Sequence, residues 1–383
     1  MIPVLPYRAE ACLFFNVCSV CANEKIQRCN HETEKLRSWI GTYTTVEVEL
    51  ALSKGYKILK IYEIYHWDRW SDTVYKEYFK KFIKMKYAAS GFPSGITEMA
   101  DKIEYCRKVS RKLGFDLQPH EVYDSPARRT VAKLSNNSTW GKGAEKPVKT
   151  ATAFVPPAKY LKLVRDANVE VKNFKELSRK MMLVNTQPVA ASIKANRFSA
   201  VHHAAFVTSY ARIMLYNIIE RLGTAVAYMD TDSVMFDWPR HAENPLADLL
   251  TNELGDLSDE TPKGWEIDNV VYAGCKNYSM KLVNLTTGEE KTKTAFRGFP
   301  KDAHTLDILN HERVHSMVFK RQPAVQPITR PTLKRTLGHI HTYNQMKVWQ
   351  PVFKKRANRG VGEVEVKVPF GYVPDEPEVI DVD

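Results

Sequence analysis

Apolar positions along the chain change period several times, and each change marks an element. Val74, Tyr78, Phe82 and Met85 recur at helical spacing with lysines on the other face, which predicts a helix over 72–90. Two more helices are expected at 97–113 and 126–141, the second opened by Pro126, whose fixed φ suits a first helical turn. These two are expected to pair antiparallel across a loop through Pro119. Val207, Tyr210, Ala211, Met214, Leu215, Ile218, Ile219 and Leu222 follow the spacing of one buried helix face, and Gly223 stands where a terminator belongs. Near the start, Val46 to Leu52 reads as helical and Tyr56 to Tyr65 as a strand. Residues 143–157, with Pro147, Pro156 and Pro157, read as a linker, and Thr286-Thr287-Gly288 as a hairpin turn. Asp375 to Asp383 reads as a mobile acidic tail.

One apolar alternation carries chemistry. Ala225 to Met229 is β-prone, runs into Asp230 and Asp232, and is followed at once by Val234 to Phe236. That pattern predicts a tight hairpin with acids at its tip. Carboxylates two apart on a strand share a face, and they repel unless a cation sits between them; hard oxygen ligands suit Mg²⁺. Asp-Thr-Asp is also ordinary turn chemistry, so spacing alone leaves an acidic turn and a cation site both open.

On the helix expected at 126–141, Arg129, Lys133 and Asn137 recur at i, i+4 and i+8 and share one face. Arg binds phosphate oxygens through two parallel hydrogen bonds and Lys as a point charge, so this face could grip a triphosphate. The plain alternative is a solvated basic helix. The six cysteines include Cys18-x2-Cys21, followed by Cys29-x-His31. Four soft ligands so close suit a structural Zn²⁺, although the second half is shorter than the usual spacing. A disulfide or unpaired thiols are the alternatives. Met1-Ile2-Pro3 opens no basic region with an apolar run behind it, which favours a reducing, intracellular setting over secretion. The surplus of 56 Lys+Arg over 44 Asp+Glu favours polyanionic partners. At 383 residues and 44% hydrophobic content the chain can bury a real core, and no apolar run approaches the roughly 20 residues of a membrane span.

Tyr228-Met229-Asp230-Thr231-Asp232-Ser233 resembles the YxDTDS signature of family B DNA polymerases. Lys133-Leu134-Ser135-Asn136-Asn137-Ser138-Thr139-Trp140-Gly141 resembles their KxxxNSxxG fingers motif, and Lys276-Asn277-Tyr278 their KxY element. Thr208 to Arg212 is similar to the palm helix that precedes the catalytic hairpin. Pro3 to Arg8, Gly41-Thr42-Tyr43 and Ala89-Ser90-Gly91-Phe92-Pro93 resemble the protein-primed branch found in viruses, linear plasmids and self-replicating transposons of the Polinton type. The resemblance implies template-directed DNA synthesis by a two-metal mechanism. It implies Asp230 and Asp232 as ligands of Mg²⁺ or Mn²⁺. Arg129, Lys133, Asn137 and Tyr228 fall at the incoming nucleotide, with Lys133 also donating a proton to pyrophosphate. Lys276, Tyr278 and Arg297 fall on the primer strand. Primer–template DNA and deoxynucleoside triphosphates follow as partners, with a terminal protein as a further candidate.

The expected fold is α+β, a partial right hand. Residues 1–70 would be a palm-proximal segment with the Cys/His knuckle and 71–145 a helical segment with the fingers. Residues 146–157 would be a linker, 158–280 the palm with its hairpin, and 281–383 the thumb and tail. The family's earlier Dx2SLYP motif and exonuclease motifs are not found, so the chain is expected to be the C-terminal portion of a longer polymerase, with little turnover alone. Ser135 and Asn136 depart from the family, which has apolar residues there; polar groups on a buried helix face lower stability. Two other readings stay open: a non-catalytic DNA-binding remnant, and a zinc-knuckle module that binds nucleic acid or protein.

Overall fold

Pro6–Ala9 and Cys12–Phe15 fold back on each other as strands β1 and β2 in the computed structural model. The structure describes residues 2–9, 12–93, 95–193, 199–239, 241–251, 254–319, 326–336, 339–359 and 366–372. The acidic stretch 375–383 lies outside them. Helix and strand are mixed, as an α+β chain requires. Two compact units form, Met1–Tyr56 with Ser209–Asp383, and Lys57–Thr208.

In the first unit, α1 (Ser19–Glu24) and α2 (Glu34–Arg37) follow the β1–β2 hairpin, and α3 (Thr45–Ser53) matches the helix expected at 46–52. Tyr56 to Tyr65 forms no strand. A strand needs a neighbour to take its backbone hydrogen bonds, and among the described residues this run joins no ladder. Most of its side chains, and those on to Trp70, are exposed, Trp70 at 91%.

The second unit holds α4 (Lys76–Ala88), α5 (Met99–Leu113) and α6 (Pro126–Gly143), close to the expected helices. Gly114, at φ 68°, ends α5 in the left-handed conformation that glycine adopts without strain. The expected partner of α6 is wrong. It packs antiparallel on α4, not α5: Tyr78 Oη donates to the Ser135 carbonyl at 3.1 Å, and Ser90 bridges Asp124. The apolar face of α5 is used instead to seal Ala88, Leu117 and Val122 through Cys106 and Val109. Ala151–Val155, expected as linker, is strand β3. It edges a sheet of order β3-β5-β4, where β4 is Val169–Ser178 and β5 is Met181–Pro188. Helix α7 (Pro157–Arg165) covers this sheet through Tyr160 and Leu163 on Val155, Met182 and Val184. Prolines 156 and 157 start that helix rather than ending order, because Pro fits a first turn.

Helix α8 (Val201–Leu222) ends at Gly223, φ 56°, as expected. Its expected stripe is covered only toward the C-terminal end: Val207, Tyr210 and Met214 are 45%, 54% and 55% exposed, whereas Leu215, Ile218 and Ile219 are half-buried and Leu222 is buried. The face buried in the first unit runs instead through Ser209, Arg212 and Tyr216. Tyr216 joins Val4, Leu5 and Ala51, and Glu47 of α3 accepts from Ser209 Oγ at 2.7 Å and from Arg212 Nε at 2.7 Å. The position of the neighbour, and not apolar content, selects the buried face.

Two hairpins follow, β6 (Val226–Asp230) with β7 (Ser233–Phe236), and β8 (Trp265–Gly274) with β9 (Asn277–Asn284). Strand β10 (Glu290–Phe296) extends the latter, with its turn at 285–289 as expected. Helices α9 (Ala303–Ile308) and α10 (His311–Phe319) come next, then the long hairpin β11 (Gln326–Thr336) and β12 (His339–Trp349). Val271, Ala273, Phe296, Leu309, Val314, Ile328 and Trp349 make one core among these elements. The chain after β12 crosses Gly274 so closely that a Cβ there would lie 2.3 Å from the Val352 carbonyl oxygen. The short pair β13 (Ala357–Arg359) and β14 (Val366–Val368) leads to Phe370, which packs back on Phe14 of β2.

Candidate active site and metal centre

Apolar pairing of Val226 to Met229 with Val234 to Phe236 brings Asp230 opposite Ser233 and leaves Thr231 and Asp232 as a two-residue loop. The hairpin is as expected, but its acids do not share a strand face. Asp230 ends β6 and is partly covered, whereas Asp232 sits exposed in the loop. Thr231 has φ 60°, a left-handed conformation that costs a β-branched residue about 1–3 kcal/mol. The loop compensates locally: Asp232 N–H and Ser233 Oγ donate to the Asp230 carbonyl at 2.7 and 3.1 Å, and Thr231 Oγ1 donates to Asp230 Oδ1 at 3.0 Å.

A second two-residue loop, Cys275-Lys276, closes β8–β9, and Lys276 also has positive φ, 55°. This twist aims its ammonium at the first hairpin, 2.8 and 2.6 Å from Asp230 Oδ1 and Oδ2. Asp230 holds Lys276 above the ordinary lysine range, chiefly by hydrogen bonding and then by charge, with Asp232 adding to the field. Tyr228 fixes the same loop from below. Its Oη accepts from the Lys276 backbone N–H at 2.9 Å, and its ring stacks on Tyr272 and meets Tyr278 edge-on. Burial above all raises Tyr228, and Tyr272 is pushed up to about 12. Buried Asn277 accepts from Trp349 Nε1 at 3.1 Å and from the Arg297 backbone at 3.3 Å, which ties Arg297 to the end of this sheet.

The structure therefore brings together Asp230, Lys276, Tyr228 and Tyr278, with Asp232 beside them. Among the described residues, no third carboxylate, thiolate or imidazole gathers with the two acids. They offer oxygens for a divalent cation but only a partial ligand set, and at present an ammonium covers both oxygens of Asp230.

In the other unit, Arg129, Lys133 and Asn137 are all exposed on α6. Arg129 Nε donates to Ser90 Oγ at 3.3 Å. Lys86, on α4, was missed as a site residue. Burial first, and then the charges of Arg129 and Lys133, push it below the ordinary lysine range. Lys86 of α4 and Arg129 and Lys133 of α6 are thus close enough for their charges to act on one another. The signal in the sequence is present only once α4 and α6 are known to pair. The concern over Ser135 and Asn136 is borne out at one atom: Asn136 Oδ1 is buried with no hydrogen-bond partner.

Cys18, Cys21, Cys29 and His31 converge in the first unit with all four ligand atoms within 4.8 Å of one another. His31 Nδ1 lies 3.5, 3.4 and 3.5 Å from the three sulfurs. One ring nitrogen cannot hydrogen-bond three thiols at once. With Zn–S near 2.3 Å and Zn–N near 2.0 Å, the N···S edge of a tetrahedron is roughly 3.5 Å, so the spacing fits coordination and the group could hold zinc. Burial, then hydrogen bonds to Cys18 and Cys29, push the Cys21 thiol up. Burial raises Cys29 too, but the His31 backbone and ring outweigh it and lower that thiol. All six cysteines are free, so the disulfide alternative is not what the fold adopts.

Residues 1–97 match the family described as DNA polymerase type B, organellar and viral. A DNA polymerase of Kluyveromyces lactis is 25% identical over 342 residues, which cover 83% of this chain and 30% of that protein. The chain thus spans less than a third of this relative's length. No solved structure matches it.

Proposed function

We propose, from the premise that both likenesses support a family B DNA polymerase, that this chain carries out part of template-directed DNA synthesis. The observation that carries the reading is the tip-to-tip pairing of Asp230 with Lys276, which joins the signature hairpin to the KxY loop. Divalent cations held by Asp230 and Asp232 would neutralise charge between a 3′-hydroxyl and the departing pyrophosphate. Lys276 and Tyr278 orient the primer strand, Lys276 through phosphate and Tyr278 through sugar or base, with Arg297 as a further phosphate contact. Arg129 and Lys133, joined by Lys86, hold triphosphate oxygens, with Asn137 and Tyr228 as nucleotide contacts, and Lys133 delivers a proton from Nζ to pyrophosphate. Residues 158–280 would then be palm, 71–145 fingers and 281–383 thumb, in an enzyme that works inside the cell and starts from a protein primer. The Cys18, Cys21, Cys29 and His31 site binds one structural zinc, since four protein ligands leave no open position.

The partial ligand set at Asp230 and Asp232 favours a second reading, a DNA-binding chain without turnover. Primer extension with Mg²⁺ and then Mn²⁺, beside Asp232→Asn, separates the two. Slow extension lost in the variant supports the polymerase reading. Primer–template binding with a steep salt slope and no extension supports the second. No DNA binding at all sinks both.

A further inference from the structure

Residues 366–372 end against the backs of the metal-ligand cysteines. Phe370 is buried among Phe14, Cys18, Cys21 and Ala22, and its ring meets Phe14 edge-on at 6.1 Å. The Gly371 backbone N–H donates to the Ile26 carbonyl at 2.9 Å, inside the loop that connects Cys21 to Cys29. Gly371 has φ 75°, and a Cβ there would lie 2.7 Å from Cys21 Cβ, 2.8 Å from Cys21 Sγ and 3.3 Å from Cys29 Cβ. Only a residue without a side chain can lie this close to the two sulfur-bearing side chains.

Between the end of α1 and Cys29, residues 25–28 have no regular structure of their own. Lys25, a non-glycine residue, ends α1 in the left-handed conformation at φ 57°. The shape of this stretch is set at both ends by ligand residues, Cys21 before it and Cys29 with His31 after it. What the ligand group fixes, the docking surface for 368–372 inherits.

We propose that zinc at Cys18, Cys21, Cys29 and His31 acts as a clasp that holds residues 366–372 on the β1–β2 knuckle, so that this segment is docked with zinc and released without it. The inference rests on the zinc reading above and adds a partner for that site within the same chain. Without the ion, three thiols and an imidazole repack, the Cys21–Cys29 loop loses its anchor points, and the Ile26 carbonyl and the Phe370 pocket move off register. Binding free energy at a structural zinc site is folding free energy for the segments that the ligands organise.

Hydrogen–deuterium exchange of peptides covering 366–372 tests this, together with zinc content by mass spectrometry, on the full chain before and after chelation. The expected result is one zinc per chain, with exchange in 366–372 faster by about tenfold or more after chelation and restored when zinc is returned. Gly371→Ala substitutes none of the four ligand residues and sets its methyl group against Cys21. It is expected to retain one zinc and to show the same fast exchange in 366–372. One zinc per chain with unchanged exchange on its removal overturns the clasp and leaves the zinc reading standing. Metal-free wild-type protein after growth and purification with zinc overturns both.

Discussion

The Lys276 ammonium lies 2.8 and 2.6 Å from the two carboxylate oxygens of Asp230, and each residue stands at the tip of its own hairpin. The pair neutralises the better-covered of the two acids in the signature loop. A divalent cation seeking those oxygens meets a positive charge already there. A unit charge about 4 Å from a divalent ion in water costs that ion roughly 2 kcal/mol, a factor of about thirty in affinity. Lys276→Met is therefore expected to tighten Mn²⁺ binding about thirtyfold by that Coulomb measure, read by electron paramagnetic resonance of free Mn²⁺. The same variant should lower the salt slope of DNA binding by about one. Unchanged Mn²⁺ affinity would show that the pair does not guard the acid.

Asn136 carries a buried amide oxygen with no partner. An unmade buried hydrogen bond costs about 1–3 kcal/mol, so Asn136→Leu is expected to stabilise the protein by about 1 kcal/mol. Denaturant midpoints of the two proteins check it, and a loss of stability would mean that the amide nitrogen is worth more than the stranded oxygen costs.

Glu47 is a buried carboxylate that depends on Arg212 and Ser209 of α8. Breaking a buried pair from one side strands the other charge. Arg212→Met is expected to cost about 3 kcal/mol, and Glu47→Gln with Arg212→Met to recover part of it. Urea unfolding of the single and double variants gives the coupling.

His311 is buried between Ser279 Oγ at 3.0 Å and Asn269 Oδ1 at 3.0 Å, and burial holds it below the ordinary histidine range. The folded state therefore binds fewer protons here than the unfolded chain. Stability from this group is full above the unfolded value, about 6.5, and falls as pH drops through it toward the folded value. Melting temperature should decline below about pH 6.5 in wild type and less steeply in His311→Gln. Parallel curves for the two proteins would remove His311 as the cause.

Local chemistry was well written in the letters. The hairpin at Asp230, the first-turn proline of α6, the glycine that ends α8 and the grouping of Cys18, Cys21, Cys29 and His31 all follow from residue type and near spacing. Relationships across the chain were not. Glu47 meets Ser209 and Arg212 from 162 and 165 residues away, so no periodicity announces that α8 buries its polar-looking face. The partner of α6 and the cation trio with Lys86 depend on which of two amphipathic helices comes to lie beside it. Tyr56 to Tyr65 has strand-forming letters, but a strand is a property of two chains of backbone, and only one was in the prediction.

That run has a practical consequence. From Ile58 to Trp70, isoleucines, tyrosines and tryptophans stand in water on a backbone that joins no ladder among the described residues. Such a stretch is a template for its own copies. What holds copies apart is the molecule's surplus of 12 positive charges, and salt screens that repulsion within about 10 Å at 0.1 M. The protein should stay monodisperse in dilute buffer and grow in particle size as salt is raised, which light scattering across a salt series checks.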